Sequence, residues 1–293
     1  MAGIPYMGSK RKLAPKILDY IIAHNPNAKY FYDLFGGGGA ISFEALKRSF
    51  EVHYNELNTG VVALLEKIQQ DGITPDFYQW VSREDFHKHK NDDDWFGGLC
   101  KTVWSFGNCQ RTYLFGSNIE PLKKLAHDYL LQNGYAGEKE KRIRLLKEFK
   151  NKMLISGSFQ LQQLERLQQL ELLQQLQQLQ QLEQLPLINN LIITNQSYIN
   201  VNITTPINET VIYCDPPYKS TAQYKEKLDH DIFNEWVKNS HYKIYVSSYE
   251  SELNCGLEMK HRSSLCSNKK NAVTEKLFCN QIETITKQDF KLI

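Results

Sequence analysis

Asp215-Pro216-Pro217-Tyr218 is the segment whose residue types most directly suggest chemistry. It follows Val211-Ile212-Tyr213-Cys214, an apolar run that reads as a buried strand. The prolines fix φ and remove two N–H donors, which leaves a rigid lip with carbonyls directed into a cleft. A carboxylate and the Pro216 carbonyl so placed can accept both hydrogens of an exocyclic amine such as adenine N6. That amine's lone pair is delocalised into the ring and is a poor nucleophile. Acceptors orient it and stabilise the positive charge that grows on it during attack. Tyr218 would stack on the base, which must leave the duplex to be reached. The chemistry is group transfer from an activated donor, which needs neither a metal nor a covalent enzyme intermediate. A strand followed by a structural proline turn is the other reading.

A second segment supplies a place for such a donor. Asp33-Leu34-Phe35 runs into Gly36-Gly37-Gly38-Gly39. Glycines let the backbone turn sharply and approach a ligand closely, and the helix that follows presents free N–H groups. A dinucleotide loop of the form G-x-G-x-x-G needs a glycine at 41 or 42, where Ile41 and Ser42 stand. The spacing of Phe35, Gly37 and Gly39 fits F-x-G-x-G instead, which resembles the S-adenosylmethionine loop of DNA amino-methyltransferases. Glu56 lies 20 positions after Gly36, where an acidic residue can hold ribose hydroxyls. A purely structural glycine turn is the alternative.

The elements that must position these residues follow from periodicity. Leu13, Ile17, Leu18, Ile21 and Ile22 have helical spacing over 13–24. Residues 30–35 read as a buried strand, 40–48 as a helix and 52–54 as a second strand. This strand, glycine turn, helix and strand form the unit expected of a nucleotide-binding α/β sheet. Residues 61–70 look helical. Strand signals then fade until 191–194, 210–214 and 243–248, with weaker candidates at 257–261 and 276–279. The pattern predicts one α/β domain, residues 1–70 and 188–293, interrupted by a mostly helical insert over 71–187.

The insert ends in an unusual tract. Residues 160–185 are all Leu or Gln except Glu165, Arg166, Glu171 and Glu183, with leucine at every third position from 161 to 185. These residue types favour helix, and Pro186 disfavours its continuation. A period of three lags the helical repeat by ~60° per step, so the leucines wrap around and no heptad seam forms. An α-helix buried on changing sides is expected, with a low-complexity spacer as the other reading.

Composition narrows the classes. The 293 residues are 41% hydrophobic and 12% aromatic, which excludes a wholly disordered chain. No apolar run approaches the ~18 residues of a membrane span. Met1-Ala2-Gly3-Ile4-Pro5 lacks a signal-peptide core, so a cytoplasmic protein is expected. The six cysteines include no C-x-x-C pair and the histidines no H-x-x-x-H, so no metal is expected. The net charge of +2 is small, yet residues 1–18 carry +4 and residues 139–152 carry +5. Such runs suit a phosphate backbone, or else a solvated helix face.

Taken together, the sequence resembles the Dam-like, D12-class N6-adenine DNA methyltransferases over nearly its whole length. Pro5-Tyr6-Met7-Gly8-Ser9-Lys10 looks like the family's N-terminal segment. Phe35–Gly39 looks like the donor loop, Asn55-Glu56-Leu57-Asn58 like the following acidic segment, and Asp215–Tyr218 like the catalytic motif. Ser197-Tyr198 stands where the family often has Asp-Tyr, and Glu275–Phe278 resembles its C-terminal strand. The motif order is that of the alpha group. The resemblance implies a Rossmann-like α/β methyltransferase sheet with an inserted, mostly helical target-recognition domain, and S-adenosylmethionine as methyl donor. It implies donor contacts from Tyr6, Lys10, Asp33, Phe35, Gly36, Gly37, Gly38, Gly39, Glu56 and Asp215, and catalysis by Asp215, Pro216, Pro217 and Tyr218. Trp104–Asn108 with Tyr113–Gly116 is similar to the start of the recognition segment in one branch. Asn108, Gln110, Arg111 and Tyr113 are therefore expected to read base edges, with Lys123 and Lys124 as phosphate contacts or plain surface.

The partner so implied is double-stranded DNA. A monomer without membrane attachment is expected, with room for a cognate restriction endonuclease encoded elsewhere. Cytosine-N4 methyltransferases usually show Ser before Pro-Pro-Tyr, so Asp215 favours adenine. A catalytically inactive DNA-binding homologue is the alternative of a different class. An intact glycine loop together with Asp215–Tyr218 argues against it.

Overall fold

The computed structural model describes residues 3–155, 175, 188–217, 228–262 and 272–281. Tyr218, and the Leu/Gln tract apart from Gln175, lie outside the described residues. The chain divides into two compact units. One comprises Lys10–Leu57 and Asn190–Ile293, the other Ala2–Ser9 and Asn58–Asn189.

The first unit is built on strands β1 (Tyr30–Asp33), β2 (Glu51–Asn55), β3 (Leu191–Thr194), β4 (Thr210–Cys214), β5 (Lys243–Ser248), β6 (Asn254–Arg262) and β7 (Ala272–Cys279). They form one sheet in the order β3-β2-β1-β4-β5-β7-β6. The first five are parallel, and β7 runs antiparallel to both β5 and β6. All the strands expected from sequence are present. β1 stops at Asp33 rather than 35 because the chain turns there, with Gly36 N–H donating to the Asn55 carbonyl at 2.8 Å.

Alternation along the strands sorts the core onto two faces. Tyr32, Leu34, Ile212, Cys214, Ile244 and Val246 pack with Phe233 and Val237. The last two lie on helix α8 (His230–Asn239), which Asp229 caps by accepting from Asp231 and Ile232 N–H. Phe31, Tyr213 and Tyr245 take the opposite parity. Phe31 stacks on Tyr213, and Tyr245 meets Tyr20 edge-on. Tyr20 belongs to helix α1 (Ala14–His24), whose Ile17, Leu18 and Ile21 are buried. Helix α2 (Ala40–Lys47) follows the glycine loop and begins at Gly39, whose φ of 71° is left-handed.

In a parallel sheet of this kind, ligands bind outside the carboxyl ends of the strands where the order reverses. Here that point is β1 and β4, which are neighbours in the sheet but far apart in sequence. The glycine loop leaves β1 and Asp215 leaves β4, so the topology brings the two segments to one crevice.

The second unit is mostly helical. It holds α3 (Thr59–Asp71), α4 (Arg83–His89), α5 (Trp95–Val103), α6 (Glu120–Gln132) and α7 (Lys139–Ile155). α3 was expected to belong with the sheet. It falls in this unit because it packs on α5 at Gly60 and Gly98, where a Cβ on Gly98 would overlap the Gly60 carbonyl. The core is aromatic: Trp104 is fully buried among Trp80, Tyr113 and Phe115. His127 of α6 is buried too. Its Nε2 lies 2.8 Å from the Tyr78 carbonyl, which makes Nε2 the donor and Nδ1 the acceptor. Gln175 Nε2 stands 3.3 Å from that Nδ1, so this one residue of the Leu/Gln tract is tied to α6. Burial holds the His127 imidazole down to about 4, which keeps it neutral. Among the described residues no helix is long and apolar enough to cross a membrane.

Candidate active site

The glycine loop is held by its neighbours rather than by its own side chains. Tyr54, fully buried on β2, donates its hydroxyl to the Gly37 carbonyl at 2.7 Å. Glu56, just past β2, accepts the Gly37 N–H on Oε2 at 2.8 Å. Asn55 laces the strand ends together, donating to the Leu34 and Gln196 carbonyls and accepting from the Thr194 hydroxyl and the Gln196 N–H. A Cβ on Gly36 would overlap the Tyr54 ring, so residue 36 must be glycine for the loop to lie against β2. Phe35 turns its ring away to stack on Tyr198, with Phe233 edge-on to both.

Asp33 closes the floor of the loop. It is 1% exposed and accepts from Ser42 Oγ of α2 at 2.7 Å. Its other oxygen, Oδ1, is buried without a hydrogen-bond partner among the described residues. Burial pushes its pKa up to about 7, the Ser42 hydrogen bond acting against this and the nearby Asp215 and Glu56 adding to it. Asp215 stands one residue beyond β4. Its Oδ2 pairs with Lys10 Nζ at 3.0 Å, and Lys10 also pairs with Glu275 Oε1 at 3.0 Å. Lys10 is only 8% exposed. Burial alone would lower its pKa, and the carboxylates of Asp215 and Glu275 outweigh that, so it rises above the usual lysine value.

The residues present fit S-adenosylmethionine. An orphaned buried carboxylate oxygen, a backbone cradle that a Cβ would fill, and clustered carboxylates suit a ligand carrying an ammonium and a sulfonium. Asp33, the loop glycines and Glu56 would hold it.

Most of the site residues expected from sequence converge here: Lys10, Asp33, Phe35, Gly36, Gly37, Gly38, Gly39, Glu56, Asp215 and Pro216. Tyr6 belongs to the other unit, where its carbonyl accepts from Ser9 N–H. Glu275, expected only as part of a strand, joins the site because the fold brings β7 to Lys10.

The expected base-reading residues lie on the 105–113 loop of the second unit, closed by a bridge between Ser105 and Tyr113. Asn108 and Gln110 adopt left-handed φ values of 57° and 64°, which is uncommon and costly for non-glycine residues. Gln110 accepts from Asn58 Nδ2 at 3.2 Å, and Arg111 is exposed. Tyr113 departs from expectation. It is 2% exposed, donates its hydroxyl to the Val81 carbonyl and carries Arg83 over its ring, so its edge is spent inside the unit.

A mostly parallel seven-stranded sheet with a glycine loop after β1 and an acid after β4 is a methyltransferase fold. The D12 class N6 adenine-specific DNA methyltransferase model matches residues 6–289, and the chain belongs to that family. It is an adenine-specific DNA methyltransferase, and enzymes of this class use S-adenosylmethionine. Among curated proteins none matches the chain closely enough to count as a relative.

The Asp33 geometry gives a pH prediction. A carboxyl whose folded pKa is raised favours the folded state below its unfolded value near 4. That contribution is lost as the pH climbs through about 7. A cationic donor reverses the preference by favouring ionised Asp33. Donor binding should therefore tighten from pH 6 to pH 8 with release of a proton, and Asp33→Asn should flatten the trend. Calorimetric titration in two buffers of different ionisation enthalpy measures both. A pH-independent affinity in the parent enzyme would contradict the assignment.

Proposed function

We propose that this enzyme methylates adenine within one short duplex sequence, taking the target base out of the helix to do so. The observation that carries this reading is the placement of Asp215 beside the glycine loop, at the carboxyl ends of adjacent strands, with Lys10 fixing one of its oxygens. Asp215 Oδ1 and the Pro216 carbonyl accept the two N6–H groups. They orient the amine and stabilise the charge that develops on it. When bound, S-adenosylmethionine supplies a methyl group made electrophilic by its sulfonium. Glu56 meets the donor's ribose, Asp33 its cationic part, and Phe35 with Tyr198 offers an aromatic wall. Tyr218 stacks on the base.

Arg111, Asn108 and Gln110 are the proposed base-edge readers, since Arg pairs with guanine and Asn or Gln with adenine. Tyr113 is left out of that set because its hydroxyl is already engaged. The basic residues of α7, among them exposed Arg144 and Lys147, suit phosphate contacts. We further propose that it acts as a monomer, in the cytoplasm, as a methylase alone.

Methylation mapping of DNA from an expressing host tests this. N6-methyladenine should recur at one motif, with adenines outside it unmodified. Modification without sequence context would overturn the proposed specificity, and N4-methylcytosine would overturn the role given to Asp215.

A further inference from the structure

Lys10 links two carboxylates that the sequence separates by 60 residues. Asp215 Oδ2 and Glu275 Oε1 each lie 3.0 Å from its Nζ, so they are no more than about 6 Å apart. Glu275 is 2% exposed, on β7 opposite Met259 of β6. A buried carboxylate is costly unless paired, and a lysine could neutralise Asp215 without it. The second carboxylate therefore has an effect beyond satisfying Lys10. Paired with Asp215 alone, Lys10 would cancel its charge and weaken it as an acceptor toward a developing cation. With Glu275 on the other side, the trio carries a net negative charge while Asp215 stays fixed in place.

We propose that Glu275 is a positioning residue for methyl transfer, holding Lys10 so that Asp215 is both oriented and left electron-rich toward N6. This rests on the reading of Asp215 as the N6 acceptor. Among the described residues, the other ionisable groups coupled to Asp215 are Asp33, and Tyr213 and Cys214 on β4, with Glu56 coupled to Asp33 in turn. Tyr213 is fully buried and donates to Ser247 Oγ at 2.8 Å. Burial first, then the neighbouring carboxylates, keeps both Tyr213 and Cys214 protonated.

The test is the pH profile of kcat at saturating donor and DNA. Glu275→Gln should lower the plateau roughly 10-fold, about 1.4 kcal/mol of transition-state stabilisation, with the donor KM changed less than about threefold. It removes a negative neighbour of Asp215, so the acid limb should move to lower pH. Lys10→Met removes the positive neighbour and should move the limb to higher pH. Glu275→Asp keeps the charge and should hold the limb in place, and it serves if Glu275→Gln does not fold. A limb that stays fixed in Glu275→Gln, or one displaced in Glu275→Asp, would overturn the proposal. If Asp215→Ala itself retains turnover, the reading of Asp215 has failed. If Asp215→Ala is inactive while Glu275→Gln keeps its plateau and limb, only the inference about Glu275 has failed.

Discussion

Asp215→Ala is expected to reduce turnover by more than about 10³-fold while leaving donor affinity within a few-fold of the parent. Removing one preorganised group that stabilises transition-state charge costs about 10²–10³ in rate, and Asp215 is proposed to supply both a charge and a hydrogen-bond acceptor. Donor binding should survive because the loop is held by Tyr54 and Glu56, neither of which depends on Asp215. The fold should survive as well, since Lys10 keeps its pair with Glu275. Asp215→Asn separates the two contributions. It retains an acceptor without charge and should fall between Ala and the parent. Single-turnover transfer of labelled methyl and a donor titration on the same preparations provide both readouts. Near-normal transfer by either variant would remove Asp215 from the chemistry. A secondary effect follows from the electrostatics: Asp215 helps raise the Asp33 pKa, so at pH 6 the Ala variant should bind donor slightly more tightly than the parent.

What the sequence revealed, and what it hid, follows from the range of the interactions. β1, the glycine loop and α2 are contiguous, and their signals are local: a buried apolar run, a glycine cluster, then helical spacing. The same holds for β4 and Asp215. Their adjacency in the sheet is a matter of topology, and it is what turns two separate motifs into one site. Glu275 reads in the sequence as part of a strand and not as a site residue, because a single Glu in a strand carries no local sign of a partner. Only the antiparallel return of β7 beside β5 brings it to Lys10. Tyr113 is hard to place from sequence for the opposite reason. Its neighbours Asn108, Gln110 and Arg111 are polar, and a Tyr among them looks like part of a reading surface. Trp104, Phe86 and Arg83 enclose it instead. α3 follows β2 directly in sequence, whereas the small residues that set its packing, Gly60 and Gly98, act across a gap of 38 positions.

Gly36→Ala is expected to damage both the fold and donor binding. The φ at this position does not require glycine, so the effect is steric alone. An added Cβ would overlap Cε2 and Cδ2 of Tyr54 and lie 2.9 Å from its Cζ. The ring cannot swing aside easily, being fully buried in β2 with its hydroxyl on the Gly37 carbonyl. Forcing a methyl into a packed site costs about 1–3 kcal/mol. The alternative, displacing the loop by an ångström, would weaken donor binding and lower the transfer rate on the order of 10²-fold, as misplacement on that scale does. Both losses should appear together, in the denaturant midpoint and in the donor titration. Tyr54→Leu in the same chain removes the opposing ring atoms. Although it is destabilising alone, it should cost less in the Gly36→Ala background than in the parent, giving a favourable coupling between the two sites. Strictly additive losses would show that the Tyr54 ring is not what confines residue 36, and that the loop owes its position to Glu56 and the β1 strand end instead.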